Sequence, residues 1–259
     1  MKTSLVHVAT HAVLASPLIF CAGIAIGADL TFFSAVGIQE VTKDLVPKFE
    51  RATGHNVIVT YATLGAVLER SKSGETADVI VIPAQGITSF VKQGKATETD
   101  VSPIAKSSVG VAVRRGTPKP DISSPEAFKQ SMLEAKSILF SDFGGVGTPH
   151  VRKVFERLGI AEEMRGKTIY AKVAGAAGIA QALNETDAQL SLNQLQEFAT
   201  VAGMEIIGPL PGDLGLSTLF SSVVMGSAKD VQAARALVDF MRTPEAAAII
   251  RSKGLEPAF

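Results

Sequence analysis

Four short segments carry the residue types that can hold an anion. They are Ser34-Ala35-Val36-Gly37, Ala62-Thr63-Leu64-Gly65, Gly144-Gly145-Val146-Gly147-Thr148 and Ala174-Gly175-Ala176. All contain glycine among small residues, and three add a hydroxyl. Each stands between a strand-like run and a helix-like one. The first N–H groups of a helix have no intrahelical partner, and together they present roughly half a positive charge. Several such ends aimed at one cleft make an anion site without arginine. The residues expected to line it are Ser34, Gly37, Thr63, Leu64, Thr148, His150 and Ala174. Any one hydroxyl taken alone reads equally as an N-cap beside a tight turn. Recurrence of the pattern in both halves of the chain carries the anion reading.

His150 falls in the first turn of the helix opened by Thr148-Pro149. There it is either a surface histidine or a donor to a carboxylate and a proton shuttle. Arg114 and Arg115 end a strand just before a turn and are read as solvated. The run at Gly144 lacks the Lys-Ser/Thr ending of a phosphate-binding loop and the spacing of a dinucleotide fingerprint, so no nucleotide cofactor is expected. The four histidines (His7, His11, His55 and His150) have no metal-ligand spacing, and no metal site is expected. Lys plus Arg and Asp plus Glu both number 25, which gives none of the basic excess that nucleic acid demands.

The elements that must position these loops alternate between strand and helix. Leu30 to Phe33 and Val57 to Tyr61 read as strands, and Val79 to Ile82 as a continuous apolar strand of the buried parallel kind. Between the first two, Ile38, Val41, Leu45 and Phe49 share one helical face, with Pro47 expected to kink or split that helix and Gly54 to end it. A helix from Leu64 stops at Gly74. A second series starts with a strand at Val109 to Val113. Ser124-Pro125-Glu126 is a helix start: an N-cap, a proline at the first position, then an acid near the positive end. Strands follow at Ile138 to Phe140 and Thr168 to Val173, with a long returning strand at Leu216 to Met225. The final helices are Val231 to Met241 and one starting at Thr243-Pro244-Glu245.

The 259 residues suit two lobes of about 100 residues each, and 46% apolar content against 19% charged marks a globular chain. The pattern predicts an α/β fold of two lobes, each an open, mixed, mostly parallel sheet flanked by helices, with a ligand cleft between them. Residues 29–108 plus 217–259 form the expected first lobe and 109–216 the second. Residues 1–28 read as a secretory signal peptide: Lys2, an apolar stretch from Ala12 to Ile26 broken by Pro17, then Gly27 and Ala28. The only cysteine, Cys21, lies within it, so the exported chain is expected to hold neither disulfide nor catalytic thiol.

The ending Ala236-Leu237-Val238-Asp239-Phe240-Met241-Arg242-Thr243-Pro244-Glu245-Ala246, followed by Gly254, is similar to the tail of the periplasmic molybdate-binding family of type II solute-binding proteins. Phe33-Ser34-Ala35, Phe49-Glu50-Arg51-Ala52-Thr53-Gly54 and Ala77-Asp78-Val79 resemble its opening blocks. The resemblance implies two lobes, the first built from both chain ends, joined by a two-stranded crossover. It also implies a periplasmic, monomeric receptor for a small anionic ligand, partnered by a membrane permease of the ABC type.

The ligand-reading positions depart from the family pattern. Ser34 is displaced, with Gly37 near the expected serine, and the second loop reads Ala62-Thr63-Leu64-Gly65 rather than Ser-Ser-Gly. The family's late tyrosine is replaced around Asp187-Ala188-Gln189-Leu190-Ser191-Leu192. These departures point from molybdate toward an organic di- or tricarboxylate. The chain also resembles the aconitate isomerase branch of this scaffold, in which a proton moves along an allylic system. That alternative needs an acid/base, for which His150 is the first candidate and Glu69, Tyr61 or a polarised serine the others.

Overall fold

The computed structural model describes residues 27–141, 147–173 and 175–259. The chain opens with β1 (Asp29–Ala35), α1 (Gln39–Thr53), β2 (Asn56–Ala62), α2 (Leu64–Lys72), β3 (Val79–Pro83) and α3 (Ala84–Lys92). β1 lies between β2 and β3 and is parallel to both. The following strand, β4 (Val101–Arg114), is 14 residues long and spans the molecule. Beyond it come α4 (Pro125–Glu134), β5 (Ile138–Phe140), α5 (Gly147–Leu158), α6 (Ala161–Arg165), β6 (Thr168–Tyr170), α7 (Gly175–Glu185), β7 (Leu190–Gln194) and β8 (Met204–Pro209). The chain then returns through β9 (Ser217–Val224), α8 (Val231–Phe240), α9 (Pro244–Ser252) and β10 (Glu256–Pro257).

β4 belongs to both halves. Its residues Val101–Ser108 pair with β9, which in turn pairs with β3, while Val109–Val113 pair with β7 and the end of the strand with β8. β5 lies parallel between β7 and β6. Antiparallel pairs therefore gather around the shared strand and parallel pairs lie outside it. The return passes Leu216, whose carbonyl accepts from the Val109 N–H at 2.9 Å. The result is two lobes of mixed sheet flanked by helices. One apolar cluster draws on both chain ends, from Leu30 to Ala105 and from Phe220 to Leu255. Two others draw only on residues between Val109 and Leu214.

Local signals set the helix boundaries. Ser124 caps α4 by accepting from the Ala127 N–H at 3.1 Å, and Thr243 caps α9 by accepting from Ala246 at 3.2 Å. A proline follows each cap, where its missing N–H costs nothing. Gly54 ends α1 at φ 75°, in the left-handed region that glycine enters freely. Pro47 does not split α1, which runs unbroken through it. Pro47 and Lys43 are both exposed, so the carbonyl that loses its partner to the proline faces water. Arg114 is not a solvated turn residue. Its guanidinium donates to the carbonyls of Leu183, Thr186 and Ala188 at 2.6 to 3.0 Å and ties β4 to the end of α7. Asp78 is 2% exposed and accepts from the Thr31 N–H, the Thr31 hydroxyl and the Lys229 N–H, each at 2.7 Å. It thereby joins β1, β3 and the segment entering α8. Among the described residues no helix is long and apolar enough to cross a membrane. The proposed signal segment lies outside them up to residue 26.

Candidate functional site

The carboxyl ends of β1, β2, β5 and β7 bear the polar residues that concern function. β1 leads into a single helical turn, Val36–Ile38, and β7 into another, Leu195–Glu197. These two turns pack against each other and bring the two halves of the chain together. Gly37 sits in the first, where a Cβ would stand 2.7 Å from the ring of Phe220 and 3.7 Å from Gln196 Nε2. Glycine is therefore required by close approach rather than by φ.

The other expected site residues fall in several environments. Ser34 is fully buried near the end of β1. Its hydroxyl is 3.4 Å from both the Ala35 carbonyl and the Thr42 hydroxyl, which in turn is 3.4 Å from the Tyr61 hydroxyl. Thr63 is exposed and caps α2 by accepting from the Ala66 N–H at 3.3 Å, while Leu64 packs on the first core. Thr148 is buried in the first turn of α5, and its hydroxyl donates to the Ser141 carbonyl at 3.1 Å. His150 Nε2 is 2.8 Å from the Leu214 carbonyl. A carbonyl only accepts, so Nε2 carries the proton there. Glu69 is exposed and pairs with Lys72 at 2.7 Å. Ala174 lies outside the described residues. The structure thus brings Gly37 to the seam, turns the Ser34 and Thr148 hydroxyls toward their own halves, and commits one nitrogen of His150 to backbone.

The sequence reading missed a polar cluster at the end of β7. Asn193 is buried, and its amide donates to Glu197 Oε2 at 2.9 Å. The same amide nitrogen is 3.4 Å from the Ser141 carbonyl, and Asn193 Oδ1 accepts from the Gln194 N–H at 2.9 Å. Ser141 Oγ accepts from the Gly175 N–H at 3.1 Å. Ser141, Thr148, Asn193 and Glu197 therefore tie together the ends of β5 and β7 and the starts of α5 and α7. Gly147, which opens α5, lies so close to Asn193 Oδ1 that a Cβ there would overlap it. Burial pushes the Glu197 carboxyl up to about 7, even though the Asn193 donor favours the ionised form. Among the described residues no cation pairs with it. The available signal was compositional: Ser191, Asn193 and Gln194 place polar side chains within a fully buried strand, where amides are disfavoured.

The family model for bacterial extracellular solute-binding proteins matches residues 30–256. The chain belongs to that family. An aconitate isomerase from a Pseudomonas species is 30% identical over 233 residues, covering 88% of this chain and 87% of that protein. The molybdate-binding protein ModA of Azotobacter vinelandii is 26% identical over 243 residues, 93% of this chain and 94% of its own. Among solved structures, the tungstate-binding protein TupA from Desulfovibrio alaskensis G20 superposes with a TM-score of 0.65 at 13% identity, covering 89% of this chain and 99% of that one. The two lobes are those of the type II binding-protein fold. The seam between Val36–Ile38 and Leu195–Glu197 follows the carboxyl ends of β1 and β7, where the two lobes meet.

Proposed function

We propose that this solute-binding protein captures a small organic anion with more than one carboxylate between its lobes, 29–108 plus 217–259 and 109–216. It would do so as a periplasmic monomer serving a membrane permease. The carrying observation is the chemistry of the seam. A cage for a compact metal oxyanion would present free hydroxyls, yet those of Ser34 and Thr148 are engaged within their own halves. What stands at the seam instead is Gln196, with the carboxyl of Glu197 and its Asn193 partner close by. A carboxyl titrating near neutral pH can share its proton with a ligand carboxylate. The backbone N–H groups at the starts of α2 and α5, beside Thr63 and Thr148, would add neutral donors. Thermal melts with citrate, cis-aconitate, trans-aconitate, molybdate and tungstate test this reading. Stabilisation by the carboxylates supports it, and stabilisation by the oxyanions alone removes it.

A second reading, isomerisation of aconitate, is favoured by one further observation. Glu197 is a largely buried carboxyl near 7, suited to take a proton from one carbon of an allylic system and return it at another. The 30% identity with aconitate isomerase agrees with that chemistry. Following cis-aconitate by NMR with the purified protein separates the readings: turnover makes it an isomerase, and binding without turnover leaves it a receptor.

A further inference from the structure

We infer that Gln196 is a ligand-contacting residue that couples an anion in the seam to the strand joining the lobes. This rests on the anion-capture reading above. Ser107 belongs to β4 just before the strand passes from β9 to β7, and it is 1% exposed. Its hydroxyl donates to Gln196 Oε1. In this arrangement the amide oxygen of Gln196 faces Ser107 and Nε2 lies on the far side. Nε2 is enclosed and has no acceptor among the described residues. Leaving a buried N–H unmatched costs free energy, and well-built interiors hold few such groups. When one persists, a ligand is a natural acceptor.

The surroundings of that N–H indicate where such an acceptor would arrive. Gln196 belongs to the half built from residues 109–216, but its neighbours come from the other half. A Cβ on Gly37 would lie 3.7 Å from Nε2, and one on Gly254 would lie 3.2 Å from the Gln196 Cα. The unmatched donor therefore faces the opposite lobe across the seam, while the other end of the same amide holds the crossing strand. An anion accepting from Nε2 would fix the rotamer that holds Ser107. Ligand occupancy and the geometry of β4 would then be linked through one side chain.

The test uses the full exported chain and its Gln196→Glu, Gln196→Met and Ser107→Ala variants. Calorimetric titration with citrate and with cis-aconitate is read beside the melting temperature of each ligand-free protein. Gln196→Glu keeps an acceptor for Ser107 and replaces the donor with an oxygen. It should retain the ligand-free melting temperature while losing affinity about a hundredfold. Gln196→Met should lose about tenfold or more, and Ser107→Ala, which only frees the amide, about threefold. Wild-type affinity in both Gln196 variants overturns the inference. So does a lowered ligand-free melting temperature in all three with affinity unchanged, because that marks a merely structural role. Failure of the wild-type protein to bind either carboxylate overturns the anion-capture reading itself, and the inference with it.

Discussion

The side-chain amide of Asn193 donates to Glu197 Oε2 at 2.9 Å, and the two residues are separated by the turn that leaves β7. Glu197 closes the turn that packs against Val36–Ile38. Burial disfavours the charged carboxylate more than this one donor favours it, and the balance leaves Glu197 at about 7.

That balance makes stability depend on pH with a definite sign. The ordinary value of the group is 4.5, so between about 4.5 and 7 the folded chain holds a proton that the unfolded chain has released. The contribution of Glu197 is fully present below 4.5 and is lost as pH rises through 7. Glu197→Gln removes the titration. The variant should match the wild type near pH 4.5 and melt higher at pH 8, as read by melts across that range. Parallel curves for the two proteins would contradict the assignment.

If the isomerisation reading holds, Glu197→Gln should slow aconitate turnover by about two orders of magnitude or more, the usual scale for general acid–base catalysis. His150→Gln should change the rate by no more than a few-fold, because its Nε2 is engaged with the Leu214 carbonyl. Rates from NMR time courses decide between the residues. A collapse in His150→Gln with Glu197→Gln untouched would reverse the roles.

Gly37→Ala should destabilise the protein by about 1–3 kcal/mol, the usual cost of forcing a methyl into a packed site. The obstacle is the Phe220 ring, 2.7 Å from where the Cβ would stand. Phe220→Leu in the same chain should recover much of the loss, and urea unfolding of the single and double variants measures the coupling. Additive effects would show that the two residues do not meet.

Asp78→Ala should cost at least about 2 kcal/mol, because it leaves the Thr31 and Lys229 N–H groups unmatched. Burial pushes the Asp78 carboxyl up, but the bonds from Thr31 and Lys229 together outweigh it and hold the group below the ordinary carboxylate value. Its contribution is therefore present above that value and lost as pH falls through the lowered one. Acid titration of the wild type and the variant should converge at low pH.

Local chemistry made part of this fold legible. The Ser124-Pro125 and Thr243-Pro244 starts and the Gly54 stop lie where capping rules place them, and the returning strand at Leu216 to Met225 is β9. The sequence pattern predicts β4 only from Val109, because Pro103, Lys106, Ser107 and Ser108 interrupt its apolar run. Pairing with β9 overrides that local signal. The most informative part of the site lay in β7, whose buried polar residues do not resemble a strand in isolation. Arg114 and Gln196 show the same limit. Their partners lie up to 89 residues away, a separation no spacing rule reaches. In the sequence, Ser34, Thr63 and Thr148 read as hydroxyls beside turns. Only three-dimensional packing shows which way each hydroxyl faces.

We propose that the seam takes an organic polycarboxylate rather than a metal oxyanion. Calorimetric titration of the protein with cis-aconitate, alone and then in the presence of saturating molybdate, decides between them. Polycarboxylate capture gives one saturable site for cis-aconitate that molybdate does not block. Tight binding of molybdate with no heat from cis-aconitate would contradict it.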